Sequence, residues 1–143
     1  MSAVAPILRS TGRSIENLPD LRAVHWLPRV LLAAIILQQG WLKIPITAET
    51  AQSLGIPLVL YGMSALGEIA AGVALLVGGA MRNPIGELLT RAGGLTIAFI
   101  TFSVLVVVYQ IFTLTPDIIW LSNQLHLLLI AGGLYIAARG NAA

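Results

Sequence analysis

Cysteine is absent from this 143-residue chain. Its absence excludes disulfides, thiol redox chemistry, cysteine-ligated iron–sulfur clusters and haem attachment through thiols. Charge is also scarce: 10% of the residues are Asp, Glu, Lys or Arg, against roughly 25% in a soluble domain. Only two histidines occur, His25 and His126. The layout derived below puts them at different depths, so one chain cannot supply both axial ligands of a single haem. No H-x-x-E pair, Cys/His cluster, G-x-G-x-x-G fingerprint or phosphate loop is present. No metal site and no intrinsic cofactor are therefore expected.

What the chain does have is apolar length. Hydrophobic residues make up 57% of it, and the mean hydropathy is +0.90. Four apolar segments, 27–46, 56–80, 85–112 and 118–138, each come near or exceed the ~20 residues that a membrane-spanning helix requires. The links between them are short, which places consecutive helices side by side and antiparallel. The expected fold class is all-α: an integral membrane four-helix bundle with up-down topology over 27–140, preceded by a polar arm at 1–26.

Charge placement orients the bundle. Arg9, Arg13, Arg22 and Arg29 precede or open the first segment, Arg82 and Arg91 flank the link between the second and third, and Arg139 follows the fourth. Lys43 alone lies toward the other side. The positive-inside rule then puts both termini in the cytoplasm, and a bacterial inner membrane is the expected location. These arginines suit a rim facing anionic lipid, so membrane lipids are expected partners and nucleic acid is not. No signal peptide is expected, because the first apolar run begins after Pro28 and no A-x-A cleavage site follows it.

Local signals set the boundaries. Residues 18–26 suit either a short interfacial helix, with Leu21 and Val24 toward lipid and Trp26 at headgroup level, or a flexible lead-in. Pro45 is expected to end the first span and Pro57 to open the second, with 43–57 as the longest linker. In Arg82-Asn83-Pro84, Asn83 suits a cap and Pro84 a first turn. Thr115-Pro116-Asp117 is a further start signal, with Asp117 placed to favour the helix dipole.

Glu68 stands near the middle of the second apolar segment. A carboxylate there costs a few kcal/mol by insertion scales, so something must hold it. At helical spacing Tyr61, Ser64, Glu68 and Gly72 share one face. Thr96, Ser103 and Gln110 recur every seven residues on the third segment. Gln39 and Lys43 share a face of the first, with Gln38 beside it, and Asn123 and His126 mark the fourth. At ~1.5 Å per residue, Gln38, Gln39, Lys43, Glu68, Gln110, Asn123 and His126 fall between the midplane and the outer interface. They outline a ligand-binding or proton-relay pocket, with Glu68 at its floor and Lys43 and His126 as its partners. The alternatives are structural: interhelical hydrogen bonding for the neutral polar residues, outward snorkelling for Lys43, a hydrogen-bonded core role for His126, or a plain Lys43/Glu68 ion pair. Gly67 with Ala71, Gly94 with Ala98, and Gly133 with Ala137 are small-x-x-x-small pairs, read as helix contacts.

Several of these stretches resemble the DoxX-like family of small four-span membrane proteins. They are Arg29-Val30-Leu31-Leu32 and the G-x-x-K of Gly40-Trp41-Leu42-Lys43 on the first span, Gly55-Ile56-Pro57 in the first loop, and the run from Gly67-Glu68-Ile69 through Leu76 on the second. Arg82 or Arg91 would fill the place of the family's loop basic residue. The resemblance covers about 28–140, and the chain departs from it in a longer link at 82–90 and an added basic arm. It implies a four-helix bundle in a membrane tied to redox metabolism, where some relatives are linked to thiosulfate oxidation with quinone reduction. Three functions follow as expectations. The first is a non-catalytic accessory subunit of a larger respiratory or photosynthetic membrane complex. The second is a quinone-interacting oxidoreductase subunit, with Glu68 relaying a proton and His126 and Gln39 on the carbonyls; a bound quinone or lipid is the expected ligand. The third is a proton-coupled transporter, which would require a homo-oligomer.

Overall fold

The computed structural model describes residues 26–110 and 116–141. Nearly all of the expected N-terminal arm, including the interfacial segment up to His25, and the start signal at Thr115 lie outside the described residues. Within them all regular structure is helical: α1 Trp26–Leu42, α2 Ala48–Ser53, α3 Leu58–Ala80, α4 Pro84–Val107 and α5 Pro116–Arg139. Both α3 and α4 are long and apolar enough to cross a membrane.

The cap chemistry explains most boundaries and corrects two expectations. Asn83 caps α4, its Oδ1 accepting from the Gly86 N–H at 2.8 Å, and Pro84 occupies the first turn. The link between α3 and α4 is therefore only 81–83, not the long 82–90 expected. Within the 43–57 linker Thr47 caps a single short helix, α2, whose Ala51 is buried. Six residues cannot form a stable helix alone, so no periodic pattern announces it. Finally, α4 stops at Val107, short of 112, and Gln110 takes a left-handed φ of 47° just beyond.

Packing follows chain order: α1 lies on α3, α3 on α4 and α4 on α5, with a lighter contact between α1 and α5. Missing Cβ atoms let the backbones close up. A Cβ on Gly94 would sit 2.6 Å from the Gly133 carbonyl oxygen and 2.8 Å from the Ala137 nitrogen, and one on Gly133 would sit 2.7 Å from the Gly94 oxygen. The Gly94/Ala98 and Gly133/Ala137 pairs thus meet backbone to backbone at the crossing of α4 and α5. Gly67 gives room to Ile100 of α4. The apolar core between the helices consists of Leu32, Ala33, Ile36, Ala71, Leu75, Ile97, Leu129 and Ile136.

One end of the molecule is tied by polar contacts to the residues after α5. Gly140, at φ 62°, ends that helix in the left-handed conformation that glycine tolerates. Asn141 then donates its backbone N–H to Glu87 Oε2 at 2.7 Å and its side-chain amide to the Gly78 carbonyl at 2.9 Å, while its Oδ1 accepts from the Thr90 hydroxyl. Arg91 bonds Glu87 and the carbonyls of Ala137 and Ala138. Buried Arg29 stacks over Trp26 and donates to the Gly140 carbonyl. Asn141→Ala removes the side-chain hydrogen bonds to Thr90, to the Gly78 carbonyl and, longer at 3.5 Å, to the Met81 carbonyl, which tie the residue after α5 to α4 and to the end of α3. It is expected to cost about 1–3 kcal/mol, read as a lowered unfolding midpoint in detergent, whereas Asn141→Asp is expected to keep the Thr90 contact and lose those to Gly78 and Met81.

Candidate functional site

At the other end, the site starts from Gly40. A Cβ there would lie 2.9 Å from the Ala65 carbonyl oxygen and 3.2 Å from Glu68 Cβ, so the glycine brings the last turn of α1 against the middle of α3. Lys43, three residues on, follows the same face just past the helix end. Its ammonium donates to Ser64 Oγ at 3.1 Å and to Glu68 Oε1 at 2.5 Å. Ser64 is held for this by donating its own hydroxyl to the Tyr61 carbonyl. The G-x-x-K spacing and the Ser64, Glu68 spacing are thus two halves of one clamp.

Glu68 lies near the midpoint of α3, ~15 Å from its start at about 1.5 Å per residue, and is only 4% exposed. Its Oε1 has the Lys43 ammonium, but its Oε2 is buried with no hydrogen-bond partner. Lys43 is better placed for access, its side chain 18% exposed. The two contacts named use two of its three N–H donors. One acceptor and one donor are therefore left side by side.

Both residues line a cavity of about 210 Å³. Tyr61, Ser64 and Glu68 of α3 line it with Gln39 and Lys43 from the end of α1, Thr101 of α4, Tyr109, and His126 of α5. Leu54 and Ile56, carried by the segment around α2, also border it. His126 meets Tyr109 edge-on, with ring centroids 5.2 Å apart.

Of the seven residues expected to form the pocket, the structure brings Glu68, Lys43, His126 and Gln39 together. Gln38 is exposed beside Gln39 and does not line the cavity. Gln110 is also outside it: α4 ends three residues earlier, so the seven-residue stripe from Ser103 cannot be extended to 110. The Thr96 and Ser103 hydroxyls on that stripe donate to carbonyls of their own helix, Ala92 and Phe99. Asn123 is 1% exposed at a non-helical break in α5, φ −122°, with both side-chain amide atoms unpartnered, and it does not line this cavity.

Sequence reasoning missed Thr101 and Tyr109. Thr101 was findable, because it lies seven residues after Gly94 and three after Ala98, on the face those small residues turn inward. Tyr109 lies beyond the helix end, where no periodicity applies. Among the described residues no cluster of His, Cys, Asp and Glu could hold a metal ion. Comparison with protein-family models, curated proteins and solved structures gives no match to the chain.

Proposed function

We propose that this chain is a four-span, antiparallel membrane bundle of the DoxX-like kind, with cytoplasmic termini, whose Lys43/Glu68 pocket binds a quinone-class ring within a larger redox-linked membrane assembly. Membrane insertion is supported by the large apolar side chains left on the outside of the helices, such as Val59, Phe99 and Leu128, 70%, 72% and 64% exposed. A surface of that kind is stable against lipid and not against water.

The observation that carries the binding assignment is Glu68 Oε2, a buried oxygen without a partner beside a free Lys43 donor. An empty pairing of that kind is costly until a ligand fills it. A hydroxyl of a reduced ring would donate to Oε2, and a ring oxygen would accept from Lys43 Nζ or His126. At about 210 Å³ the cavity is below the ~300 Å³ lower bound of whole-ligand sites, so it suits a single ring and not a large polar substrate. The chain's own residues supply hydrogen bonds and a proton-accepting oxygen; electrons would come from a partner protein, which is why an accessory subunit suits it better than a solitary enzyme.

The test is direct titration of the purified protein with a methyl-substituted benzohydroquinone. Saturable binding is expected, weakened by at least about tenfold in Glu68→Gln, since a charge-assisted hydrogen bond becomes a neutral one. Absence of saturable binding to the wild type would rule out the assignment.

A further inference from the structure

The geometry points to a second, apolar subsite that takes a single hydrocarbon chain carried by the ligand of the Lys43/Glu68 pocket. This rests on the ring-binding reading above and adds what lies beyond the ring. A groove of about 310 Å³ runs between α3 and α4, walled by Leu60 and Met63 on one side and by Phe99, Ile100, Ser103 and Val107 on the other. It is not a separate feature of the surface: Ile56, Ser64, Val104 and Val108 line both the groove and the polar cavity.

The chemistry changes along this path. At the cavity end stand Glu68, Lys43 and His126; in the groove the only polar side chains among the described residues are Ser64 and Ser103. Both hydroxyls are already committed, donating to the Tyr61 and Phe99 carbonyls within their own helices. The groove therefore offers a ligand no unmet hydrogen bond and suits methylene groups alone. The space agrees, because the cavity is too small for a whole ligand, while cavity and groove together reach the ~300–1,000 Å³ of ordinary ligand sites.

The occupant is thus an amphiphile: one hydrogen-bonding ring on one apolar chain, entering sideways between α3 and α4, ring first. A loosely bound bulk lipid would also cover the groove, but it would bring no group to the cavity and would not respond to what sits there.

The experiment uses the full chain in one detergent and two probes, a methyl-substituted benzohydroquinone and the same ring bearing a ten-carbon chain. Ser103→Phe fills the groove without touching the cavity lining. The expected result is that the long-chain ring binds this variant at least about tenfold more weakly than the wild type. Burial of only a few methylenes accounts for that factor. The methyl ring should bind both proteins equally. Detergent partitioning cancels, because each probe is compared with itself. Met63→Trp fills the groove from the α3 side and repeats the test should Ser103→Phe fail to fold. Equal binding of the long-chain ring to wild type and filled variants would overturn the tail subsite, leaving bulk lipid in the groove and the ring site intact. Equal losses for both probes would also overturn it. Failure of the methyl ring to bind the wild type would instead overturn the ring reading beneath it.

Discussion

Lys43→Met is expected to destabilise the protein by about 3–5 kcal/mol, and the double variant Lys43→Met/Glu68→Leu to recover most of that loss. Exposed ion pairs contribute only ~0–1 kcal/mol, so the size of the effect depends on burial. Glu68 is 4% exposed and Lys43 holds its Oε1, while Oε2 has no partner. Removing the ammonium leaves a carboxylate with nothing to offset its desolvation; the group must take up a proton or draw in water. Removing both charges abolishes that cost. Denaturant titration of the purified protein in mixed micelles, with both single variants and the double, gives the coupling energy directly. A single-variant loss under about 1 kcal/mol would mean that the pair is solvated like a surface pair. The same double variant separates stability from binding: it should fold, yet lack the Glu68 acceptor and the Lys43 donor for a ring.

Gly94→Leu is expected to abolish the folded protein, and Gly94→Ala to cost about 1–3 kcal/mol. The atoms in the way at this crossing are the Gly133 carbonyl oxygen and the Ala137 nitrogen, 2.6 and 2.8 Å from a Cβ at position 94. Backbone cannot swing aside as a side-chain tip can, so α4 and α5 must separate along their length. That separation also pulls Arg91 from the Ala137 and Ala138 carbonyls. Gly62→Ala is the control. Its nearest neighbour is the Ile46 side chain at 3.6 Å, ordinary contact, and alanine is the better helix former, so stability should hold or rise slightly. Far-UV circular dichroism and size-exclusion profiles of the three variants decide the matter; a well-folded Gly94→Leu protein would show that this crossing is not tight.

How much of this was legible depended on whether helical periodicity applied. On α3, Tyr61, Ser64, Glu68 and Gly72 occupy one face in the sequence. In the structure the first three line the cavity, while Gly72 is packed against Leu37 and Ile36 of α1. Lys43 could be paired with Glu68 in advance because burial leaves a carboxylate few options. The stripe on the third segment misled, because threonine and serine can satisfy their hydroxyls on the preceding turn and so carry no information about which face is inward. Small residues were the better guide there, since Gly94 and Ala98 mark the crossing and Thr101 follows from them. Gln110 and α2 were beyond reach for another reason: one lies past a helix end and the other is held by a cap and its neighbours, where pattern gives no register.

The end of α1 at Leu42 has a consequence for the two approaches to Glu68 in the bundle proposed above. Lys43 stands just past that end with its side chain 18% exposed, whereas Met63 and Phe99 on the α3 and α4 flank are 64% and 72% exposed and apolar. In a bilayer the ammonium would draw headgroups and water toward the α1 flank, while the α3 and α4 flank would stay in hydrocarbon, so the two approaches would differ in solvent as well as in shape.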